Sequence, residues 1–214
     1  MNMKKLFAAM LAITLVLGCA SAMAASIGSG DAYSQAQSYL RFMAFSREGL
    51  IEQLEYEGFS HAEAVNAVDQ CNMDWYEQAA KKAESYLEIM AFSTSGLIDQ
   101  LEFEGFTHDE AVYGAQHANI DQGSQAAAKA KSYLNVSAFS YSGLVKQLEY
   151  EGFSHAEAVD AADHCGADWN EQAAKKAESY LSVMDFSRAD LIGQLEFEGF
   201  THSQAVYGAD HAGK

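Results

Sequence analysis

Histidine is the side chain in this sequence best suited to acid–base or metal chemistry. It recurs at His61, His108, His155 and His202, each directly after a serine or threonine, and again at His117, His164 and His211. Pairs such as Ser60-His61 would suit nucleophilic chemistry only if the hydroxyl were free. Here the hydroxyl stands where a helix begins, and an N-cap commits it to backbone N–H groups. Metal-binding spacings such as HExxH or CxxC are absent. His164 and Cys165 are adjacent and do not share a helix face as an i, i+4 pair would. The histidines therefore read as structural, and neither a metal nor a cofactor is expected. A site copied four times in nearly the same form reads as structure or repeated weak binding, so the chain is read as not an enzyme.

A second constellation is an acid–aromatic–acid strip. It comprises Glu55-Tyr56-Glu57, Glu102-Phe103-Glu104, Glu149-Tyr150-Glu151 and Glu196-Phe197-Glu198. On a helix, Tyr56 lies about 200° around from Leu54 and leaves the core face. It packs against a neighbouring repeat or forms a binding strip, and both readings stay open. These twelve residues are the candidate partner-binding positions. Their acids, with Glu52, are expected to be exposed. Cys71 and Cys165 are matched by Ala118 and Ala212, which suggests small, partly buried positions. Either a buried thiol or, after export, a disulfide fits.

These residues sit in a repeating frame. FSREGLIEQLEYEGFSHAEAV begins at Phe45 and returns in closely similar form at Phe92, Phe139 and Phe186, a spacing of 47 residues (92 − 45). A fixed period of this size marks a repeat architecture. Within the second repeat, Asp74 caps a first helix of roughly sixteen residues that presents Trp75, Ala79, Ala83, Tyr86, Leu87 and Met90 on one face. Ser93 caps a second helix, with Phe92 as its hydrophobic staple and Leu97, Ile98 and Leu101 as its buried stripe. Gly105 ends that helix. Thr107 with Glu110 opens a third by a capping box, with Ala111, Val112 and Ala115 inward. In the first repeat Phe45, Leu50, Ile51, Leu54 and Val65 are expected to be buried. The fold class is all-α: a tandem array of four three-helix, helix-turn-helix-like repeats. Cys71/Cys165 and Trp75/Trp169 mark repeats one and three. Tyr113-Gly114 and Tyr207-Gly208 mark repeats two and four, so the array reads as a duplicated pair.

Residues 1–24 read as a signal peptide: Lys4 and Lys5, a short apolar run from Leu6 to Leu17, then small residues. Ala22-Met23-Ala24 suits cleavage before Ala25. Val16-Leu17-Gly18-Cys19 resembles a bacterial lipobox that would leave Cys19 lipidated. Residues 25–31 read as a short linker, and the repeats as 32–73, 74–120, 121–167 and 168–214. The formal charge is −17 over 214 residues, and the leader contributes only lysines to it. Such acidity favours basic partners and opposes nucleic acid and anionic membrane surfaces. The helix-turn-helix pattern does not reverse that. Its third helices, HAEAVNAVDQ among them, hold no Lys or Arg, and binding DNA needs phosphate neutralised.

The pattern A-x-x-YL-x-x-x-x-FS-x-x-GLI-x-QLE-x-EGF-[ST]-x-x-EAV stands at Ala36 to Val65, Ala83 to Val112, Ala130 to Val159 and Ala177 to Val206. It is joined by a D-W-x-EQA segment at Asp74 to Ala79 and Asp168 to Ala173. Together these resemble the Ltp-like family of host cell surface-exposed lipoproteins. The fourth repeat departs at Ala189-Asp190, where Ser-Gly or Glu-Gly stands elsewhere. The resemblance implies paired helix-turn-helix domains held outside the membrane by a lipid anchor. It also implies, for phage-encoded members, superinfection exclusion by blocking passage of a second phage's DNA.

The expectation is a non-enzymatic, extracytoplasmic binding module on the bacterial cell surface. It would engage a basic protein partner, such as a phage DNA-injection component, and meet the membrane only through an N-terminal lipid. The rival is a cell-envelope structural or adhesion protein that binds wall polymer. The leader gives a direct test. A lipidated Cys19 makes the protein partition with membranes, and Cys19→Ser releases it. Mass spectrometry that finds Ala25 as the mature N-terminus rules the anchor out.

Overall fold

The computed structural model describes residues 31–118 and 121–213. The leader, Cys19, the cleavage site before Ala25 and residues 25–30 of the linker lie outside the described residues. Among the described residues the chain is all-α, with twelve helices and no strand. The first repeat gives α1 (Ala32–Phe42), α2 (Arg47–Tyr56) and α3 (His61–Gln70). The second gives α4 (Trp75–Ile89), α5 (Thr94–Phe103) and α6 (His108–His117). The third gives α7 (Gln122–Val136), α8 (Tyr141–Tyr150) and α9 (His155–His164). The fourth gives α10 (Trp169–Leu181), α11 (Arg188–Phe197) and α12 (His202–His211).

The chain divides into two compact units. Of the described residues, the first holds 31–89 and 96–118, and the second holds 90–95 and 121–213. In every repeat the first helix lies against the third. Each third helix opens with a complete capping box: Ser60 with Glu63, Thr107 with Glu110, Ser154 with Glu157 and Thr201 with Gln204. The hydroxyl takes the N3 amide and the N3 side chain takes the cap amide, which satisfies two donors that a bare helix end leaves open.

The core of the first repeat is Ala36, Tyr39, Phe45, Leu50, Ile51, Leu54, Ala64, Ala67 and Val68. Val65 was expected among them but is only partly buried. Ile98 and Val112 likewise sit at the edge of the second core. Small residues hold most inner positions of the third helices, Ala64 and Ala67 beside Val68 in the first repeat, and Val65 and Val112 turn toward the rim. The first helix of the second repeat is 15 residues long.

The Tyr-Gly of repeats two and four has a packing cause. A Cβ on Gly114 would stand 2.7 Å from the carbonyl carbon of Ala79, and one on Gly208 would stand 2.7 Å from the carbonyl oxygen of Ala173. The first and third helices thus meet backbone to backbone. Tyr113 and Tyr207 then reach across to donate to Glu77 (3.1 Å) and Glu171 (2.8 Å). Helix propensity alone favours alanine over glycine by about 1 kcal/mol, but forcing an atom into rigid backbone costs about 1–3 kcal/mol. Gly114→Ala should therefore lower the urea midpoint. Gly193→Ala, in α11 with open space around the new methyl, should raise it. A stabilising Gly114→Ala contradicts this packing.

Candidate functional site

The acid–aromatic–acid strip sits where the second helix of each repeat ends. The ending is the same four times. Gly58 lies at φ 100°, Gly105 at 86°, Gly152 at 95° and Gly199 at 93°, the left-handed region that glycine alone enters cheaply. The phenylalanine that follows sends its N–H back to the helix: Phe59 to the Leu54 carbonyl (3.2 Å), Phe106 to Leu101 (3.1 Å), Phe153 to Leu148 (3.2 Å) and Phe200 to Leu195 (3.1 Å). The glycine N–H bonds the next carbonyl along, as Gly58 to Glu55 at 2.9 Å. This is the Schellman pattern with its apolar contact. It fixes the last helical residue, the aromatic, pointing away from the core.

The aromatics are therefore on the surface. Tyr56 is 75% exposed, Phe103 44%, Tyr150 56% and Phe197 86%.

The flanking acids divide into two sets. Glu55, Glu102, Glu149 and Glu196 each meet the first-turn histidine of the next helix. The pairs are His61 Nδ1–Glu55 (2.7 Å), His108–Glu102 (2.6 Å), His155–Glu149 (2.6 Å) and His202–Glu196 (2.7 Å). The histidines thus bridge the turn. Among the described residues no group of three or more His, Cys, Asp or Glu is placed to hold a metal ion. The other histidine set hydrogen-bonds helix carbonyls: His117 to Tyr113, His164 to Asp160 and His211 to Tyr207. His117 and His211 also stack on those tyrosines.

The second set of acids corrects an expectation. Glu57 is exposed, but Glu104, Glu151 and Glu198 are not free carboxylates on a solvated face. Each is held by a tyrosine and a lysine of its own repeat's first helix. Tyr86 donates to Glu104, Tyr133 to Glu151 and Tyr180 to Glu198. Lys82 lies 2.9 Å from Glu104, Lys129 3.3 Å from Glu151 and Lys176 3.2 Å from Glu198. Gln100, Gln147 and Gln194 complete each cluster by donating to the tyrosine oxygen. In the first repeat Tyr39 donates to Glu57 at 2.7 Å, and Gln35 stands where the lysine would be. Burial opposes ionisation of Glu198, but bonds from Tyr180 and Lys176 outweigh it and hold the carboxyl below its usual range. The acidic character of the strip is thus carried by Glu57 and by the histidine-paired acids.

Cys71 and Cys165 are free thiols, half-buried, and bond the carbonyls of Ala67 and Ala162. An open cleft of about 310 Å³ lies beside Cys165, lined by Lys131, Asn135, Asp168, Glu171 and Lys175.

The tyrosine clusters make a pH prediction. Burial, followed by the adjacent glutamate, raises the phenol pKa of Tyr39, Tyr133 and Tyr180, and burial with the Glu104 charge raises that of Tyr86. The folded state holds these protons more tightly than the unfolded state, whose tyrosines release them near 10.0. Their contribution is fully present below pH 10 and is lost as pH rises through the folded values. Urea midpoints should fall above about pH 10, and Tyr86→Phe should flatten that fall. An unchanged alkaline slope in Tyr86→Phe contradicts the cluster.

The repeat frame just described matches a family model four times in tandem, at residues 30–71, 74–117, 121–164 and 168–212. No curated protein and no solved structure matches this chain. Among the described residues no helix is long and apolar enough to cross a membrane. Four matches spanning most of the chain settle the family: this protein belongs to the host cell surface-exposed lipoproteins.

Proposed function

We propose that the chain is a non-enzymatic binding module at the bacterial cell surface, and that its repeated aromatic ledges engage a basic protein partner. The observation that carries this reading is the set of four exposed aromatics, Tyr56, Phe103, Tyr150 and Phe197. Each is held outward by a rigid turn on a chain of strongly negative charge. An aromatic ring is a large, low-entropy anchor, and such anchors supply most of the energy at protein interfaces. The carboxylates around it add speed and specificity of encounter more than raw affinity. Four weak sites on one chain would reinforce one another through effective concentration. A phage DNA-injection component is the basic partner this reading favours, with superinfection exclusion as the outcome.

The experiment separates ring from charge. Cells carrying the gene are challenged with phage, and capture of injected-phase phage proteins by the purified chain is measured alongside. Replacing Tyr56, Phe103, Tyr150 and Phe197 with serine should abolish protection and capture. Charge reversal at Glu55, Glu57, Glu102 and Glu149 should slow association and weaken it several-fold. Wild-type capture should weaken as salt shortens the screening length from about 10 Å to about 3 Å. Full protection by the fourfold serine variant contradicts the reading. Retention on purified cell wall that depends on the same rings, with no protein captured, favours wall-polymer adhesion instead.

A further inference from the structure

One turn of the repeat makes bonds that reach beyond the repeat's own core and beyond the ledge. It is the Phe-Ser pair between the first and second helices. The backbone N–H of Phe45 donates to Gln78 Oε1 at 3.4 Å, that of Phe92 to Gln125 at 3.2 Å and that of Phe139 to Gln172 at 3.4 Å. In each case the glutamine lies 33 residues on, in the next repeat's first helix. The serine hydroxyl has two bonds. Ser46 accepts from Gly49 N–H at 2.9 Å, which caps its own helix, and donates to the Glu104 carbonyl at 2.5 Å. Ser140 does the same between Gly143 and the Glu198 carbonyl, and Ser93 donates to the Glu151 carbonyl. Lys82 covers the Phe45 ring and Lys129 covers Phe92. The pair is thus a tab, and Gln, Lys and the carbonyl before the glycine form its socket. Ser46, Ser93 and Ser140 are almost wholly buried.

A tab-and-socket contact is heterologous, and where it does not close into a ring it can continue from copy to copy. Among the described repeats three tabs are docked, and the fourth tab and the first socket are not paired in this way. Three substitutions meet those two positions. At the fourth tab, Asp190 replaces the glycine of the others. Ser187 remains exposed, and its hydroxyl donates to the Asp190 carboxylate at 2.6 Å instead of to another repeat. The new side chain would also crowd the docking carbonyl. A Cβ on Gly49 already stands 3.2 Å from the Glu104 oxygen, and a carboxylate there repels it. At the first socket, Asp31 stands in the place of the glutamines, with its carboxylate committed to the Ser34 N–H at 2.8 Å. Gln35 stands in the place of the lysines.

We propose that Asp190 closes the fourth tab, and that Asp31 and Gln35 close the first socket, against a second copy of this chain. The tab positions then form a code. Phe-Ser-x-x-Gly docks onto a repeat carrying Gln and Lys four residues apart, and Phe-Ser-x-x-Asp does not. An open array would grow head to tail into fibres on the cell surface. Closed ends keep the ledges of each chain separate.

The test uses the full exported chain carrying Cys19→Ser, so that no lipid contributes to association. Sedimentation velocity is run over a hundredfold range of concentration. The chain itself should hold the mass of one copy throughout. A variant with Asp31→Gln, Gln35→Lys, Ala189→Ser and Asp190→Gly should show a mass that at least doubles with concentration. Restoring Asp190 in that variant should return it to a single copy, and so should adding Phe186→Ala. Two results overturn the proposal. One is a fourfold variant with native helical content that stays at one copy over the whole range. The other is association of the unaltered chain that Phe186→Ala abolishes.

Discussion

Within the units, the structure turns on a hydroxyl that does two tasks at once. The serine after the phenylalanine caps its own second helix and donates to a carbonyl 58 residues further along the chain. The acceptor is the last carbonyl before the glycine turn, a group that a helix end leaves without an internal partner. The donor is a helix cap that already has its acceptor role filled. Each end therefore supplies what the other lacks, and both are removed from water. Leaving either unmet in a buried place would cost about 1–3 kcal/mol. The geometry then propagates. The glycine turn must be bare to receive the serine, since a Cβ on Gly105 would stand 2.9 Å from Ser46 Oγ. The same bare turn fixes the aromatic one step before it on the outside of the helix.

A repeat of this size with alanine-lined inner helices buries little apolar area by itself, and coupling to a neighbour supplies stability that the isolated repeat lacks. The glutamate beside the turn shows how polar that coupling is. Its backbone carbonyl serves the serine, while its carboxylate serves a tyrosine and a lysine of its own repeat. Tyr86, Gln100, Glu104 and Lys82 thus close a satisfied network under the docking point. Such a network specifies one arrangement more sharply than apolar contact does. The exposed aromatics stand on the outer side of the same turn. The aromatic and the histidine-paired glutamate are held by elements whose first duty is structural, so the surface is rigid without any added support.

Much of this was legible in the residues. The 47-residue period, the capping boxes and the helix-ending glycines gave the repeat and its three helices, because each is a local rule carried by neighbouring positions. What lay 33 or 58 residues apart was not legible. Nothing local to Lys82 distinguishes a lysine that holds Glu104 from a solvated one, so the strip looked more acidic than it is. Ser93 read as a cap, but its bond to the Glu151 carbonyl needs a position that only the fold supplies. The pairing of His61 with Glu55 crosses a turn and follows no helical spacing. Whether Tyr56 faced a neighbour or water depended on where the neighbour docks. The departure at Ala189-Asp190 was visible as a departure, but the carbonyl that crowds the equivalent Gly49 comes from Glu104 and was not.

The central claim is that the serine turn makes neighbouring repeats within a unit open as one. Native-state hydrogen exchange of the first unit tests it most directly, by comparing buried amides of α3 with those of α6. One shared opening free energy is predicted for the unaltered chain, and two separate values after Ser46→Ala, with α3 the less protected. Amides of α3 and α6 that already exchange with different free energies in the unaltered chain, and do not respond to Ser46→Ala, would contradict it.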